Sequence, residues 1–213
     1  MTYGGQNVIM SIDVDPEIRH YSGMSVTPQL QERQDTILDA AYQAFATYGY
    51  RRTAMDDIAQ GAGMSRSALY LHWRNKEDLF RALALRHFDA ALRDMTAALS
   101  RPGQDGAAEL LAAFVARDGK FMEAVLTTKH GEELMDAGFK VTGDLAAAGE
   151  ARMADILADW LRQRGLPAGI GTADEVAASI LTSVKGLKTG VKTMAAYRDG
   201  QSRLARLFAR AIG

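Results

Sequence analysis

Apolar residues recur every three or four positions along most of this 213-residue chain, which is the pattern of amphipathic α-helices. Helices are predicted from about residue 28 to the glycine-rich stretch after residue 60, and again over 76–100, 105–118, 119–137, 141–164, 173–196 and 201–212. No run of useful length alternates apolar and polar residues as a half-buried β-strand does. The pattern therefore predicts an all-α protein.

The prolines divide the chain into three parts. Residues 1–26 show no sustained period, and we expect a disordered extension there. Pro28 after Thr27 is typical of a helix start, and it opens a predicted N-terminal three-helix domain over 27–75. Residues 76–213 form the predicted C-terminal helical domain, with breaks near Pro102 and Pro167.

The stretch 53–76 contains two short helical patterns separated by a glycine turn. Thr53 is a candidate helix cap with Asp56 as its capping-box partner. Gly63 suits a left-handed backbone after the first helix, and Ser65 can cap the second. Asn75 is a candidate cap for the long helix that follows. This arrangement predicts a helix-turn-helix, a motif that places its second helix in a DNA groove.

The second helix would carry the DNA contacts. We expect a contact face formed by Ser65, Arg66, Ser67, Ala68, Tyr70 and His72. Arg66 is the best candidate for reading a base edge, since a guanidinium pairs bidentately with guanine. Lys76, in the first turn of the next helix, could hold a phosphate together with the free backbone N–H groups. The alternative is a helical hairpin whose exposed face is merely solvated.

Residues 33–80 resemble the DNA-binding domain of the TetR family. The matching positions include Ile37-Leu38-Asp39-Ala40-Ala41, Phe45, Gly49-Tyr50, Thr53, Ile58-Ala59, Ala62-Gly63, Ser65, Leu69-Tyr70, His72 and Asn75-Lys76-Glu77. The resemblance implies that Arg66, Ser67 and Tyr70 face the groove, and that Thr53, Ala68, His72 and Lys76 lie beside phosphates. Ser67 stands where the family often has glycine, and Trp73 where it usually has phenylalanine.

Charge and composition are compatible with a DNA-binding protein. The whole chain has a net charge of −1, but residues 51–76 hold five basic residues against two acidic ones. Affinity for DNA needs a basic face and not a basic protein. There is no cysteine, which excludes disulfides and thiolate chemistry, and no stretch is typical of a membrane span or a secretion signal. We therefore expect a cytoplasmic protein, and no motif indicates an enzyme or a cofactor.

The last two helices are candidates for a homodimer interface. Their apolar stripe consists of Val176, Ile180, Val184, Leu187, Val191, Leu204 and Phe208. Gly186 and Gly190 would permit close approach of a twofold mate in a four-helix bundle. The resemblance favours this interpretation, because the last two long helices of the family pair in this way. The alternative is that the stripe faces the monomer's own core.

The middle of the chain is the predicted place for a small-molecule effector. The candidate pocket residues are Phe88, Met95, Phe114, Phe121, Met122, Met135, Phe139 and Trp160. Taken singly, each is better explained as an ordinary core residue, since pockets and cores share apolar side chains. His130 and Glu133 have the spacing of a helical metal pair, but the start of a surface helix explains them better, and we expect no metal.

Together these observations predict a ligand-responsive regulator that binds a palindromic operator in double-stranded DNA as a homodimer. An effector would shift the helix that starts at Lys76 and release the operator. The alternative is a helical small-molecule-binding protein that does not bind DNA.

Overall fold

The computed structural model describes residues 28–101 and 105–213, and the predicted disordered extension 1–26 lies outside these ranges. The described chain is all-α, as predicted. Its helices are α1 (Pro28–Tyr48), α2 (Met55–Gly61), α3 (Arg66–Tyr70), α4 (Lys76–Leu99), α5 (Gly106–Thr127), α6 (Gly131–Arg164), α7 (Ala173–Gly190) and α8 (Met194–Ile212). We call α1–α3 the head and α4–α8 the body.

Apolar packing holds the head together. Ile37, Ile58 and Leu69, one from each head helix, are fully buried in one cluster. This cluster also takes in Leu79, Phe80 and Ala82 of α4 and Leu134 and Ala137 of α6. The core of the head therefore extends past residue 75, where the sequence analysis placed the domain boundary.

Local capping signals explain where most helices start. The side chains of Ser65, Asn75, Asp105, Thr172 and Thr193 each accept a hydrogen bond from a backbone N–H in the first turn of the helix they precede. These bonds satisfy donors that have no partner inside a helix. The predicted caps at Ser65 and Asn75 are confirmed, and Gly63 has the predicted positive φ of 66°.

The predicted cap at Thr53 is wrong. Helix α2 begins one residue later than that assignment requires, with Ala54 in the cap position. The Ala54 N–H donates to Asp57 Oδ2 at 2.8 Å, so Asp57 takes the role predicted for Asp56. Thr53 is 2% exposed, and its hydroxyl donates to the carbonyl oxygens of Gly49 and Ala44.

Helix α6 crosses from one core to the other. Its 34 residues include a non-helical position, Thr142, with φ −128° and ψ 20°. Leu134 and Ala137, before Thr142, belong to the head cluster, whereas Met153 and Leu157, after it, belong to the body cluster. The bend therefore lies where the helix passes between the two cores.

Several helix boundaries differ from the prediction. Helix α5 runs through the predicted division between residues 118 and 119, and α6 runs through the predicted gap between 137 and 141. The segment predicted as one helix over 119–137 is interrupted between Thr127 and Gly131, where Thr128 has an extended backbone. The stripe predicted over 173–196 is broken at Val191, again by extended backbone, and α8 starts only after Thr193. In both places apolar spacing continues across the break, so periodicity alone did not reveal it. Among the described helices, none has the length and hydropathy needed to cross a membrane.

Candidate nucleic-acid interface and helical body

The head presents α3 to solvent. Leu69 is completely buried beneath this five-residue helix, whereas Ser65, Arg66, Ser67 and Tyr70 are exposed. Ala68 and His72 are half-buried. One anchored residue with a mostly polar outer face is the arrangement that lets a short helix enter a groove without losing its support.

Arg66 is exposed but already paired. Its Nη1 donates to Asp56 Oδ2 of α2 at 3.0 Å, and its guanidinium lies 5.5 Å from the centre of the Tyr70 ring. Both members of the ion pair are more than half exposed, so solvent screens their attraction and a phosphate or a guanine can compete for Arg66. A hydrogen bond with Tyr70 and the charge of Asp56 raise the pKa of Arg66, which keeps it cationic.

Thr53 and Lys76 do not have the geometry that phosphate contacts require. The Thr53 hydroxyl is buried and occupied within the head, as described above. The Lys76 ammonium donates to the carbonyl oxygens of Tyr50, Arg51 and Thr53 at 2.8–3.1 Å. Since an ammonium has three N–H donors, Lys76 has none left for a phosphate. It instead fastens the start of α4 to the turn between α1 and α2.

The head has a further basic contact candidate that the sequence analysis did not single out. Exposed Arg33 of α1 lines a surface groove of about 440 Å³ together with Thr36 and Met64. Arg33 belongs to a regular helix without a local motif, so only the packing of α1 beside the glycine turn brings it to this face. Arg51 and Arg52 are also exposed on the head.

Charged contacts join the body to the head, and a further one joins two helices of the body. The Arg51 backbone N–H donates to Glu133 Oε1 of α6 at 2.6 Å. Arg86 of α4 pairs with Asp39 of α1 at 2.8 Å. Arg81 of α4 makes a two-pronged pair with Asp144 of α6, just after the bend at Thr142. The head is thus joined to α4 and α6 by directional bonds as well as by apolar packing.

The predicted pocket residues differ in burial, from fully buried to exposed. Met95, Phe114 and Met122 are at most 1% exposed and lie in tightly packed core. The prediction for Phe139 is wrong, since its side chain is 67% exposed. Phe88, Phe121 and Met135 are half-buried, and Trp160 is buried with its indole N–H donating to Glu109 Oε2. A second surface groove, of about 310 Å³, lies beside Arg164 and Arg210, and none of the predicted pocket residues lines it.

His130 and Glu133 serve the contact between head and body. His130 Nδ1 lies 3.8 Å from Glu133 Oε2, and the other Glu133 oxygen accepts from Arg51 as described. No group of three or more potential metal ligands occurs within residues 28–101 and 105–213.

A buried network of charged and polar groups lies at the centre of the body. Asp118 of α5 is 3% exposed and accepts from Arg117 Nη1 at 2.9 Å, Tyr197 hydroxyl at 2.6 Å and Gln201 Nε2 at 2.8 Å. Lys188 of α7 lies 3.0 Å from the same carboxylate. This network joins α5, α7 and α8, and the sequence analysis missed it because only packing brings these residues together.

Glu150 of α6 lies at the solvent-exposed edge of the network. Its Oε1 accepts from Arg117 Nη2 at 2.5 Å, and its Oε2 lies 3.9 Å from Lys185 Nζ. The Arg117 side chain is 3% exposed, whereas that of Glu150 is 31% exposed. Arg117 Nε is buried and has no hydrogen-bond partner among the described atoms.

Burial is the largest cause of the pKa shifts of His87, Lys188 and Tyr197. Desolvation, followed by the nearby charge of Lys188, lowers the pKa of His87 to about 4. Desolvation also lowers the pKa of Lys188, against the opposing effect of Asp118. Desolvation and the charge of Asp118 raise the pKa of Tyr197. His87 is therefore neutral near pH 7, beside a network whose two innermost cations are balanced by Asp118 and Glu150.

The head can be compared with known families. Residues 37–83 match the model of the bacterial regulatory proteins of the tetR family. This segment spans most of α1, both short helices and the start of α4. The head is a TetR-family DNA-binding domain. The resemblance stated from residues 33–80 is therefore confirmed.

Curated relatives match part of this chain. A transcriptional repressor of Mycobacterium tuberculosis, Rv1474c, is 40% identical over 77 residues, which are 36% of this chain and 39% of the repressor. The transcriptional activator FasR of Mycolicibacterium smegmatis is 38% identical over 68 residues, 32% of this chain and 31% of the activator. The matches thus span two fifths or less of these relatives' lengths.

Solved structures extend the likeness to the fold of the body. SmeT, the repressor of the Stenotrophomonas maltophilia multidrug efflux pump SmeDEF, superposes with a TM-score of 0.62 over 84% of this chain and 90% of SmeT, at 23% identity. A complex of SmeT with triclosan gives a TM-score of 0.60 over 85% of this chain and 91% of that one, at 21% identity. The TetR head is therefore followed by a body with the fold seen in these regulators.

The predicted dimer residues divide into two groups by burial. Val176, Ile180 and Val184 are 0–6% exposed within the monomer's own core, so assigning them to an interface was wrong. Leu187, Val191, Leu204 and Phe208 are half-buried. The Leu187 side chain packs directly against Gly200 of α8. The apolar stripe that the sequence displays is mainly the inner face of α7.

Proposed function

We propose that this protein is a ligand-responsive transcriptional regulator, most simply a repressor, which binds a palindromic operator as a homodimer. The exposed outer face of α3 on a TetR-family head is the observation that carries this proposal. Two relatives that match part of the chain are named as a transcriptional repressor and a transcriptional activator. Repression fits the simplest mechanism, in which an effector weakens DNA binding.

Arg66 is proposed to read a base edge, while Ser65, Ser67, Ala68, Tyr70 and His72 position the helix. The Arg66 guanidinium lies over the Tyr70 ring. This contact restricts the Arg66 rotamers in the free protein, so less side-chain entropy is lost when DNA binds. Asp56 holds Arg66 in the free protein and must release it on DNA. Arg33, Arg51 and Arg52 supply phosphate contacts in place of Thr53 and Lys76.

The dimer is proposed to form through the outward faces of α7 and α8. The outward face of α7 carries small residues at a four-residue spacing, Ala178, Thr182, Gly186 and Gly190. A Cβ added at Gly186 or Gly190 would meet no described atom within 4 Å, so another helix can approach closely there. Exposed Leu207 lies on α8. Two heads paired in this way would reach half-sites about 34–36 Å apart, or a multiple of it.

The effector is proposed to act through α4 and α6. Arg81 connects these helices at the bend of α6, and Glu133 and Lys76 connect them to the turn that precedes α2. An effector that favoured a different pose of α4 would move the head through these bonds. Coupling of about 1–3 kcal/mol suffices for such control. The complex of SmeT with triclosan supports small-molecule binding in a body of this fold.

A binding assay with DNA from upstream of the protein's own gene tests the proposal. Wild-type protein should bind in a sequence-selective and salt-sensitive manner, and Arg66→Ala should weaken binding by about 1–3 kcal/mol and relax selectivity at one base pair. The matched control is Arg93→Ala, which removes an exposed arginine of α4. Asp56→Ala should leave binding intact or strengthen it, because it frees Arg66.

A helical small-molecule-binding protein that does not bind DNA is the competing function. It would show no selective DNA binding at any salt concentration. Equal losses for Arg66→Ala and Arg93→Ala would also contradict the proposed role of α3, since binding would then depend only on the protein's overall charge.

A further inference from the structure

We propose that the body holds its effector by a carboxylate, which takes the place of the Glu150 carboxylate on Arg117. This inference rests on the proposed function for its regulatory meaning, but not for the binding itself. The effector class is an organic acid with an aromatic or other apolar body.

The unsatisfied donor of Arg117 is the first observation. A guanidinium offers five N–H donors in a rigid fork and favours two-pronged contact with a carboxylate. Here Arg117 gives one bond to Asp118 and one to Glu150, and its buried Nε–H has no acceptor. A buried donor left without a partner costs free energy. A carboxylate that reached both Nε and Nη2 would satisfy this donor, which the single bond to Glu150 does not.

Charge balance is the second observation. Arg117 and Lys188 both contact Asp118 Oδ1, and Glu150 supplies the second negative charge. Desolvation already lowers the pKa of Lys188, which indicates that this ammonium has lost much of its hydration. Movement of Glu150 away from Arg117 would leave two cations with one carboxylate. The vacated position would therefore attract one negative charge.

Glu150 is the member of the network that can leave. Its side chain is 31% exposed, whereas those of Asp118 and Arg117 are each 3% exposed. Lys185, 60% exposed and 3.9 Å from Glu150 Oε2, offers the displaced carboxylate an ionic partner at the surface. Exchange of carboxylates can thus take place at the solvent side of the network without opening its centre.

Aromatic side chains define what the rest of the effector contacts. The ring of His87 lies 5.3 Å from that of Phe88 and 6.0 Å from that of Phe121. The charges of Lys188, Asp118 and Arg117 act on His87, so this group adjoins the network. Phe88 packs so closely on Gly149, the neighbour of Glu150, that a Cβ there would collide with the ring. An apolar body attached to the carboxylate would meet these half-buried rings.

The test replaces the Glu150 carboxylate with a free one. Glu150→Ala removes a group the size of acetate, so acetate can fill the space and acetamide serves as a neutral probe of the same shape. At constant ionic strength, acetate should raise the melting temperature of this variant by several degrees, as expected for a ligand bound to the folded state, and acetamide should not. Glu132→Ala, which removes an exposed acid of the same helix, is the matched control and should show no difference between the probes.

Two results would overturn the proposal. One is an equal response of Glu150→Ala to acetate and acetamide, and the other is an acetate response that persists when Arg117→Met is added. Should Glu150→Ala not fold, Glu150→Gln keeps the side-chain length and removes the competing charge. Calorimetry should then give a Kd for phenylacetate about tenfold lower than in wild-type protein, with no such change for phenylacetamide. An unchanged Kd for phenylacetate would contradict the exchange.

Operator binding separates this inference from the proposed function. Acetate stabilisation of Glu150→Ala with no change in operator affinity would support the carboxylate site and contradict its coupling to DNA. Failure of wild-type protein to bind any operator, with the acetate response intact, would overturn the proposed function and leave the site standing.

Discussion

The head and the body are both helical, yet they bury different kinds of side chain. Among the described residues of the head, the buried polar residue is Thr53, and its hydroxyl donates to backbone carbonyls. The body buries Glu109, Arg117 and Asp118, which carry charge. Apolar packing is insensitive to ionisation and to small anions, whereas a buried ionic network responds to both. A change in pH or in small anions should therefore affect the body more than the head.

Loss of the central carboxylate should give the largest effect and should be confined to the body. Asp118→Asn leaves Arg117 and Lys188 facing a neutral group, and we expect the free energy of unfolding to fall by about 3–5 kcal/mol. Urea denaturation measures this loss. Asp199→Asn, at an exposed acid of α8, should change it by less than about 0.5 kcal/mol. Similar values for the two variants would mean that the network contributes no stability.

A cavity in the head core should have a comparable but somewhat smaller effect. Leu79 of α4 is fully buried in the head cluster, and Leu79→Ala should cost about 2–5 kcal/mol. Exposed Leu207 is the matched control, and Leu207→Ala should have little effect on the unfolding of the monomer. If hydrogen exchange after Leu79→Ala accelerated in α7 and α8 but not in α1, the assignment of Leu79 to the head would be wrong.

The pH dependence should originate mainly in the body. The folded-state pKa of His87 is about 4, below the ordinary value of 6.5, so the unfolded chain binds a proton first as the pH falls. The stability associated with neutral His87 is present above pH 6.5 and is lost between pH 6.5 and pH 4. From pH 7 to pH 5 the loss should be about 2 kcal/mol, at 1.36 kcal/mol per unit of pKa shift.

Urea denaturation of His87→Gln at both pH values checks this expectation. The variant should lose most of the difference attributed to His87, whereas His72→Gln in the head should retain it. An unchanged pH dependence in His87→Gln would assign the titration to another group.

The smallest expected effects concern single glycines and have opposite signs. Gly63→Ala should destabilise the head by about 1–2 kcal/mol, because φ at this position is 66° and a Cβ is strained there. Gly143→Ala in α6 should stabilise the protein by about 0.5–1 kcal/mol, since the added Cβ meets no described atom within 4 Å and alanine favours helix. Thermal denaturation of both variants measures the sign. Destabilisation by Gly143→Ala would indicate that the neighbouring bend at Thr142 depends on this glycine.

The head was more predictable from sequence than the body because its signals are local. Ser65 and Asn75 cap helices that begin at the next residue, and Gly63 determines its own backbone angle. The roles of Thr53 and Lys76 escaped prediction because each depends on carbonyls that the fold brings close. Lys76 bonds to residues 23–26 positions away in the chain.

The body was predictable as a set of helices but not as a site. An apolar stripe reports that one face is buried and does not report what buries it, so Val176, Ile180 and Val184 fitted a dimer interface as well as a monomer core. Asp118 and Gln201 are 83 positions apart and no motif links them. Buried charges also look like surface residues in a sequence, because charged side chains are usually exposed.

The hydrogen bonds of Lys76 have a consequence for exchanging parts between regulators. Three carbonyls of the turn before α2 depend on the first residue of α4, and the core beneath α3 is completed by residues of α4 and α6. A chimera joined at residue 75 would take residue 76 from the other protein. The α4 and α6 residues that complete the core beneath α3 would also come from that protein. In a second chimera, the join would follow residue 83, and residues 134 and 137 of α6 would come from the same protein as the head. This chimera would keep the Lys76 hydrogen bonds and the head core intact. Under the proposed function, DNA specificity would thus be transferred only together with the first part of α4.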